Sequence, residues 1–394
     1  MKKRLLTLIS VIALGMSLMS CGGGSGNGGS GGSSNSSNPQ TLTPWNGLYD
    51  GLNTIYLPYA NGQITTASVP TIYAKIGDHP SAVAFGMDTG STGTVVSPEY
   101  FIRGTGDTLQ GLGSVTYSSS GIVWSGEVWR TKVSLMSSST EIVAESSVDV
   151  LIVSEQTCLD HARDCTPKHS PTGIHFMGIG FNSGTGFTWP ASVVSAATNN
   201  PFTNLTYAKN VPLSTVRRGW LLTNQGVYLG MSSELTKNFA FVKLEQNPAT
   251  AGSLIPLWQS APAAVGVNGV VKQGVSLVDT GVGEMLISPV AANGYPSGNM
   301  PLGVSVEVLF PIQSQPQPAY YKFVVTSPSN PGLNPMTPGT VIISEDPSGI
   351  VFINTGRNFL QGFNYLYDGV SGYVGYGDNG NGAANLYRAI VPTQ

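Results

Sequence analysis

At 394 residues, with 41% hydrophobic and only 10% charged side chains, the chain can bury the core of two domains or of one large bilobal unit. A formal net charge of −3 argues against the basic face that nucleic-acid phosphates demand, so no nucleic-acid partner is expected. Its 50 glycines and 26 prolines predict many short strands joined by turns, and no apolar run after residue 21 is long enough to cross a bilayer.

Residues 1–20 read as a signal peptide: Lys2-Lys3-Arg4 is a cationic start, Leu5 to Met19 an apolar run, and Leu18-Met19-Ser20-Cys21 a cleavage site. That tetrapeptide resembles a bacterial lipobox, in which Cys21 becomes the lipidated first residue of the mature chain. The alternative is an ordinary secretory signal with an incidental Cys. Residues 21–44 contain a Gly/Ser/Asn tract, Gly22 to Asn38, too polar to fold and suited to holding a domain off a membrane. Gly22 after the Cys favours the outer membrane of a Gram-negative cell, so the expected membrane partner is a lipid anchor on Cys21 in the cell envelope.

From Trp45 the chain reads as strands and turns. Strands are expected over Thr71–Ile76, Ala82–Met87, Gly126–Leu135, Val148–Val153, Val227–Leu229, Ala240–Leu244, Ser276–Val278, Val304–Phe310, Tyr320–Val325 and Thr340–Ile343. Helix is expected only over Pro190–Ala197 and, more weakly, Glu234–Phe239. This density of strands marks an all-β protein. Cys158 and Cys165, a close pair in an exported chain, read as a disulfide. The rival is zinc, because His161, His169 and His175 crowd the same stretch, but their spacing fits no standard site.

Two stretches organise the rest: Phe85-Gly86-Met87-Asp88-Thr89-Gly90-Ser91 and, 191 residues after Asp88, Leu277-Val278-Asp279-Thr280-Gly281-Val282. Each is an apolar run ending in Asp-Thr-Gly, which puts a carboxylate on a tight turn where Gly permits close backbone approach. Each is followed at a distance by a second apolar segment with Gly, Phe176-Met177-Gly178-Ile179-Gly180-Phe181 and Val351-Phe352-Ile353-Asn354-Thr355-Gly356. Too few copies recur for a solenoid, so the pattern is that of a duplicated β lobe.

On these motifs the chain resembles the pepsin-like aspartic proteases. Val115-Thr116-Tyr117 followed by Ser118-Ser119-Ser120-Gly121 looks like that family's flap hairpin, and Gly226–Gly230 like the strand that opens its second lobe. The resemblance implies an all-β, bilobal pepsin-like fold of two related antiparallel β lobes, residues 45–225 and 226–394, with a cleft between them. It implies a catalytic dyad of Asp88 and Asp279 supported by Thr89, Gly90, Ser91, Thr280 and Gly281, with Tyr117 on the flap. The expected substrate is a peptide or unfolded protein bound in extended form by a monomer, with no metal or organic cofactor. The departures are Val282 and Arg357, where the family usually carries Thr or Ser and Asp, the missing Gly after Tyr117, and Val95 or Val96 in place of a supporting Trp.

Two carboxyls a few ångströms apart cannot both ionise, so the pair shares one proton. The charged partner can take a proton from water while the other donates to a scissile carbonyl. The alternative is that each Asp merely caps its own turn. Tyr117 reads equally as a cross-strand aromatic. Val282 lacks the hydroxyl that would support the ionised pair, so activity is expected at higher pH than in a strongly acidic pepsin. Arg217-Arg218 reads as a solvated turn.

Overall fold

The computed structural model describes residues 43–44, 46–117, 120–160, 162, 165–181, 187–188, 199–248, 256–310, 319–327, 334–345, 348–380 and 387–388. The signal peptide, Cys21 and its linker, Trp45, His161 and the Pro190–Ala197 helix lie outside the described residues.

Alternation builds the first sheet. In the Thr71–Gly77 strand every second side chain is buried, and it pairs antiparallel with Val83–Asp88, whose last residue is the first Asp of interest. Thr92–Val96 is buried at all five positions, as a strand covered on both faces must be. Between these last two strands lies His175–Ile179, parallel to Val83–Asp88 with Gly178 opposite Asp88 and antiparallel to Thr92–Val96. Thr92–Val96 in turn runs parallel to Ile142–Cys158.

A second sheet repeats the plan. Phe352–Asn354 is parallel to Val270–Leu277 and antiparallel to Met285–Ile287, and the latter is parallel to Val341–Ile343. Each Asp strand is therefore flanked by a later strand carrying the second apolar motif, which is the duplication that the sequence implied. The molecule is nearly all-β, with the bilobal pepsin-like arrangement.

A third sheet of six strands joins residues from both halves: Ile55–Pro58, Gly226–Leu229, Gly219–Leu222, Phe363–Asp368, Tyr373–Asp378 and Phe239–Lys243, in that order. The turn between Gly219–Leu222 and Gly226–Leu229, where the expected division at 225/226 falls, lies within this sheet. Arg217 is no solvated turn. Its Nε donates to Asp368 Oδ2 at 2.9 Å, and Asp368 is fully buried, so the charge is held by a counter-ion the sequence pattern did not connect to it. The weak helix shrinks to Ser233–Thr236 behind an N-cap at Ser232, because Phe239 begins a paired strand instead.

Thr108–Tyr117 and Ile122–Met136 form the hairpin expected as the flap. Unlike a bare two-stranded flap, its return strand is paired with Ile142–Cys158 from Met136 out to Ile122, at the tip, where Cys158 is opposite. Ser114 and Val115 pair on the other side with Thr188 and Phe187. Cys158 and Cys165 are disulfide-bonded, which removes both thiols from any zinc site. The loop they close packs on the tip: Leu159 N–H donates to the Gly121 carbonyl at 2.8 Å, and a Cβ on Gly121 would come within 2.6 Å of the Ala162 Cβ.

Candidate active site

The two Asp-Thr-Gly turns meet face to face. Thr89 N–H donates to Thr280 Oγ1 at 3.1 Å and Thr280 N–H donates to Thr89 Oγ1 at 3.0 Å. Each hydroxyl also donates across to the opposite turn, Thr89 to the Val278 carbonyl and Thr280 to the Met87 carbonyl. All four bonds are buried, where a missing partner would leave a polar group unsatisfied, so they lock the turns in register. The glycines allow the approach: a Cβ on Gly90 would lie 2.3 Å from the Asp279 carboxyl carbon, and one on Gly281 2.6 Å from Asp88 Oδ1.

Asp88 and Asp279 are thereby brought within hydrogen-bond reach of each other, 5% and 7% exposed. Each caps its own turn through Oδ1, which accepts from Gly90 N–H at 2.7 Å and Gly281 N–H at 2.8 Å. Capping and pairing are not alternatives here; the same side chain does both. The outer oxygens are held differently. Ser91 Oγ donates to Asp88 Oδ2 at 2.5 Å, while Asp279 Oδ2 accepts from Asn354 Nδ2 at 2.6 Å. Burial, then the charge of Asp279 and a hydrogen bond shared with it, pushes the Asp88 carboxyl well above the ordinary range; Ser91 and Gly90 oppose this without cancelling it.

Asn354 corrects the premise drawn from Val282. The donor missing at position 282 is supplied by an amide from the flanking strand, so the ionised form keeps its support. Sequence reasoning missed this residue although a signal was present. Alignment of Phe176-Met177-Gly178 with Asn354-Thr355-Gly356 puts a polar side chain where the first half has Phe, inside an otherwise apolar motif.

Tyr117 closes the first strand of the hairpin and is a cross-strand aromatic. Its ring stands edge-on to Trp124, 5.1 Å away, and to Phe176, 5.7 Å away. Trp124 projects from the return strand, where its Nε1 donates to Gln156 at 2.7 Å, whereas Val95 and Val96 are core residues. The Tyr117 hydroxyl is buried close to Ser91 without a well-formed hydrogen bond, and burial followed by the Asp88 charge raises its pKa well above the usual value.

This arrangement has a counterpart among solved structures. An aspartic proteinase from Irpex lacteus, known from its crystal structure, superposes with a TM-score of 0.52 at 15% sequence identity, over 85% of this chain and 100% of that one. The fold is pepsin-like. No protein-family model and no curated protein matches the sequence. Within the pepsin-like fold, a cavity of about 300 Å³ lies beside the first Asp strand, lined by Val69, Thr71, Gly86, Trp124, Ile174 and Phe176. Gly86 is what opens it, since a Cβ there would already stand 3.1 Å from the Phe176 ring.

Proposed function

We propose that the chain is an aspartic endopeptidase, tethered to a bacterial envelope by lipid on Cys21, that cuts extended, apolar-rich polypeptide segments. The observation that carries this reading is the pair of Asp-Thr-Gly turns, cross-tied by Thr89 and Thr280, with Asp88 and Asp279 in mutual reach and one donor on each outer oxygen. The pair shares one proton, so one carboxyl serves as acid and the other as base, and the titration belongs to the pair. The ionised carboxyl takes a proton from water, whose oxygen adds to the scissile carbonyl carbon, while the protonated carboxyl gives its proton to the carbonyl oxygen, and the gem-diol collapses with proton return to the leaving amine. The nucleophile is water and both acid–base groups are carboxyls, so this chemistry requires no metal or organic cofactor. A bulky apolar side chain next to the cut fits the cavity under Trp124 and Phe176.

The test is a digest of a peptide library from about pH 3 to about pH 8, the range in which a carboxylate pair switches, by the intact chain and by Asp88→Asn and Asp279→Asn. Cleavage by the wild type that is blocked by a statine inhibitor and lost in both variants is expected. A second reading, a peptide-binding lipoprotein that does not cut, is favoured by the Tyr117 ring, which packs edge-on against Phe176 of the cavity lining and keeps its hydroxyl buried near Asp88. A wild type that binds library peptides and never cleaves them would establish it. For the anchor, labelling with a fatty-acid analogue should depend on Cys21 and vanish in Cys21→Ser.

A further inference from the structure

Arg357 begins the short turn Arg357–Gln361 that closes the second half. Gly356, at φ 63°, bends the chain so tightly that a Cβ would fall 2.3 Å from the Glu284 carbonyl oxygen, and this bend brings Arg357 against the second Asp-Thr-Gly loop. Its backbone N–H donates to the Val282 carbonyl at 3.0 Å and its Nη2 to the Gly281 carbonyl at 2.9 Å, while Nη1 lies 3.5 Å from the Thr66 carbonyl. The residue is 8% exposed, its Nε is buried with no partner, and among the described residues no carboxylate forms an ion pair with it.

A buried guanidinium held only by neutral carbonyls needs a counter-charge, and the candidates are few. The carboxylates that act on it are Asp279, Glu284 and Asp88, and Glu284 is exposed and screened by water. The segments that hydrogen-bond to it or carry those carboxylates, 59–70, 86–97, 276–290 and 354–363, carry no charged residue beyond these and Arg357 itself. With one proton shared, the dyad bears a single negative charge and the buried cluster is neutral. A second proton would leave the cation uncompensated.

We propose that Arg357 is an electrostatic positioning residue, whose buried cation keeps the Asp88–Asp279 pair singly ionised and so extends its working range toward acid. This rests on the endopeptidase reading for its consequence in activity, but the charge effect can be read without turnover. The experiment is a ¹³C-carboxyl NMR titration of Asp88 and Asp279 in the full chain, in the wild type, Arg357→Met, Arg357→Gln and Arg357→Lys, alongside the acid limb of peptide cleavage. The neutral variants should raise the lower apparent pKa of the dyad by about one unit, as removal of a nearby opposite charge does. Lys should restore most of it. Gln retains a donor for the Gly281 carbonyl without the charge and carries the comparison should Met fail to fold. The inference is overturned if the dyad titrates alike in all four proteins to within about 0.3 unit, or if Lys shifts it as far as Gln does. If the titration shifts but the wild type cuts no peptide, the endopeptidase reading fails and the role of Arg357 stands.

Discussion

Cutting one cross-tie between the two turns tests whether they form a single mechanical unit. Thr280→Val keeps the shape of a fully buried side chain but removes the oxygen that accepts from Thr89 N–H and donates to the Met87 carbonyl at 2.7 Å. An orphaned buried N–H costs about 1–3 kcal/mol, and losing the donor to the carbonyl about 1 kcal/mol more, so a loss of roughly 2–4 kcal/mol is expected. Thr89→Val removes the mirror-image contacts and should cost a similar amount. Once either tie is gone the turns are free to part, so the double variant should lose less than the sum, with a coupling of about 1 kcal/mol or more. Urea unfolding of the full chain at fixed pH, with unchanged m-values, reads all three. A cost below about 1 kcal/mol for either single variant, or strict additivity, would refute the reasoning.

Three further outcomes are expected. Because the folded-state pKa of Asp88 is raised, the folded chain binds more protons than the unfolded one above the ordinary carboxylate range, so wild-type stability falls as pH rises through that interval. Asp88→Asn should therefore be the more stable protein at neutral pH, by about 1.4 kcal/mol for each unit of elevation, with the gap closing below about pH 4; thermal melts across pH that show a constant gap would contradict this. Asn354→Leu withdraws the donor to Asp279 Oδ2, a charge-assisted bond of about 1.5–3 kcal/mol, and should lift the acid limb of cleavage by about 1–2 pH units, whereas an unmoved limb would remove Asn354 from the dyad. The double variant Cys158→Ser, Cys165→Ser opens a loop whose ends are 7 residues apart and should cost about 2 kcal/mol, with amide exchange rising at Gly121–Trp124; protection unchanged there would show that the loop does not brace the tip.

Much of this was legible in the chain because its signals are local. The strand expected over Thr71–Ile76 is observed as Thr71–Gly77, and Asp-Thr-Gly in apolar frames marked both turns. What stayed hidden depends on partners far apart in sequence. Val148–Val153 is only the buried middle of a 17-residue strand, Ile142–Cys158, whose ends are half exposed and so lack an apolar run to betray them. The six-stranded sheet pairs Ile55–Pro58 with Gly226–Leu229, a register that no local pattern encodes. Asn354 was read only as part of the 351–356 segment that echoes 176–181, because the echo reports backbone placement and is silent on which side chain faces the carboxylate.

The flap described above is flanked on both sides near its tip. Lifting it away from the dyad would mean peeling Ile122, Val123 and Trp124 off Cys158, Thr157 and Gln156, or else bending the joined strands as one plate. A plate is stiffer than a ribbon. Under the endopeptidase reading, room for a guest chain comes from small tilts of a whole layer, and the guest adjusts to a hairpin that keeps its shape.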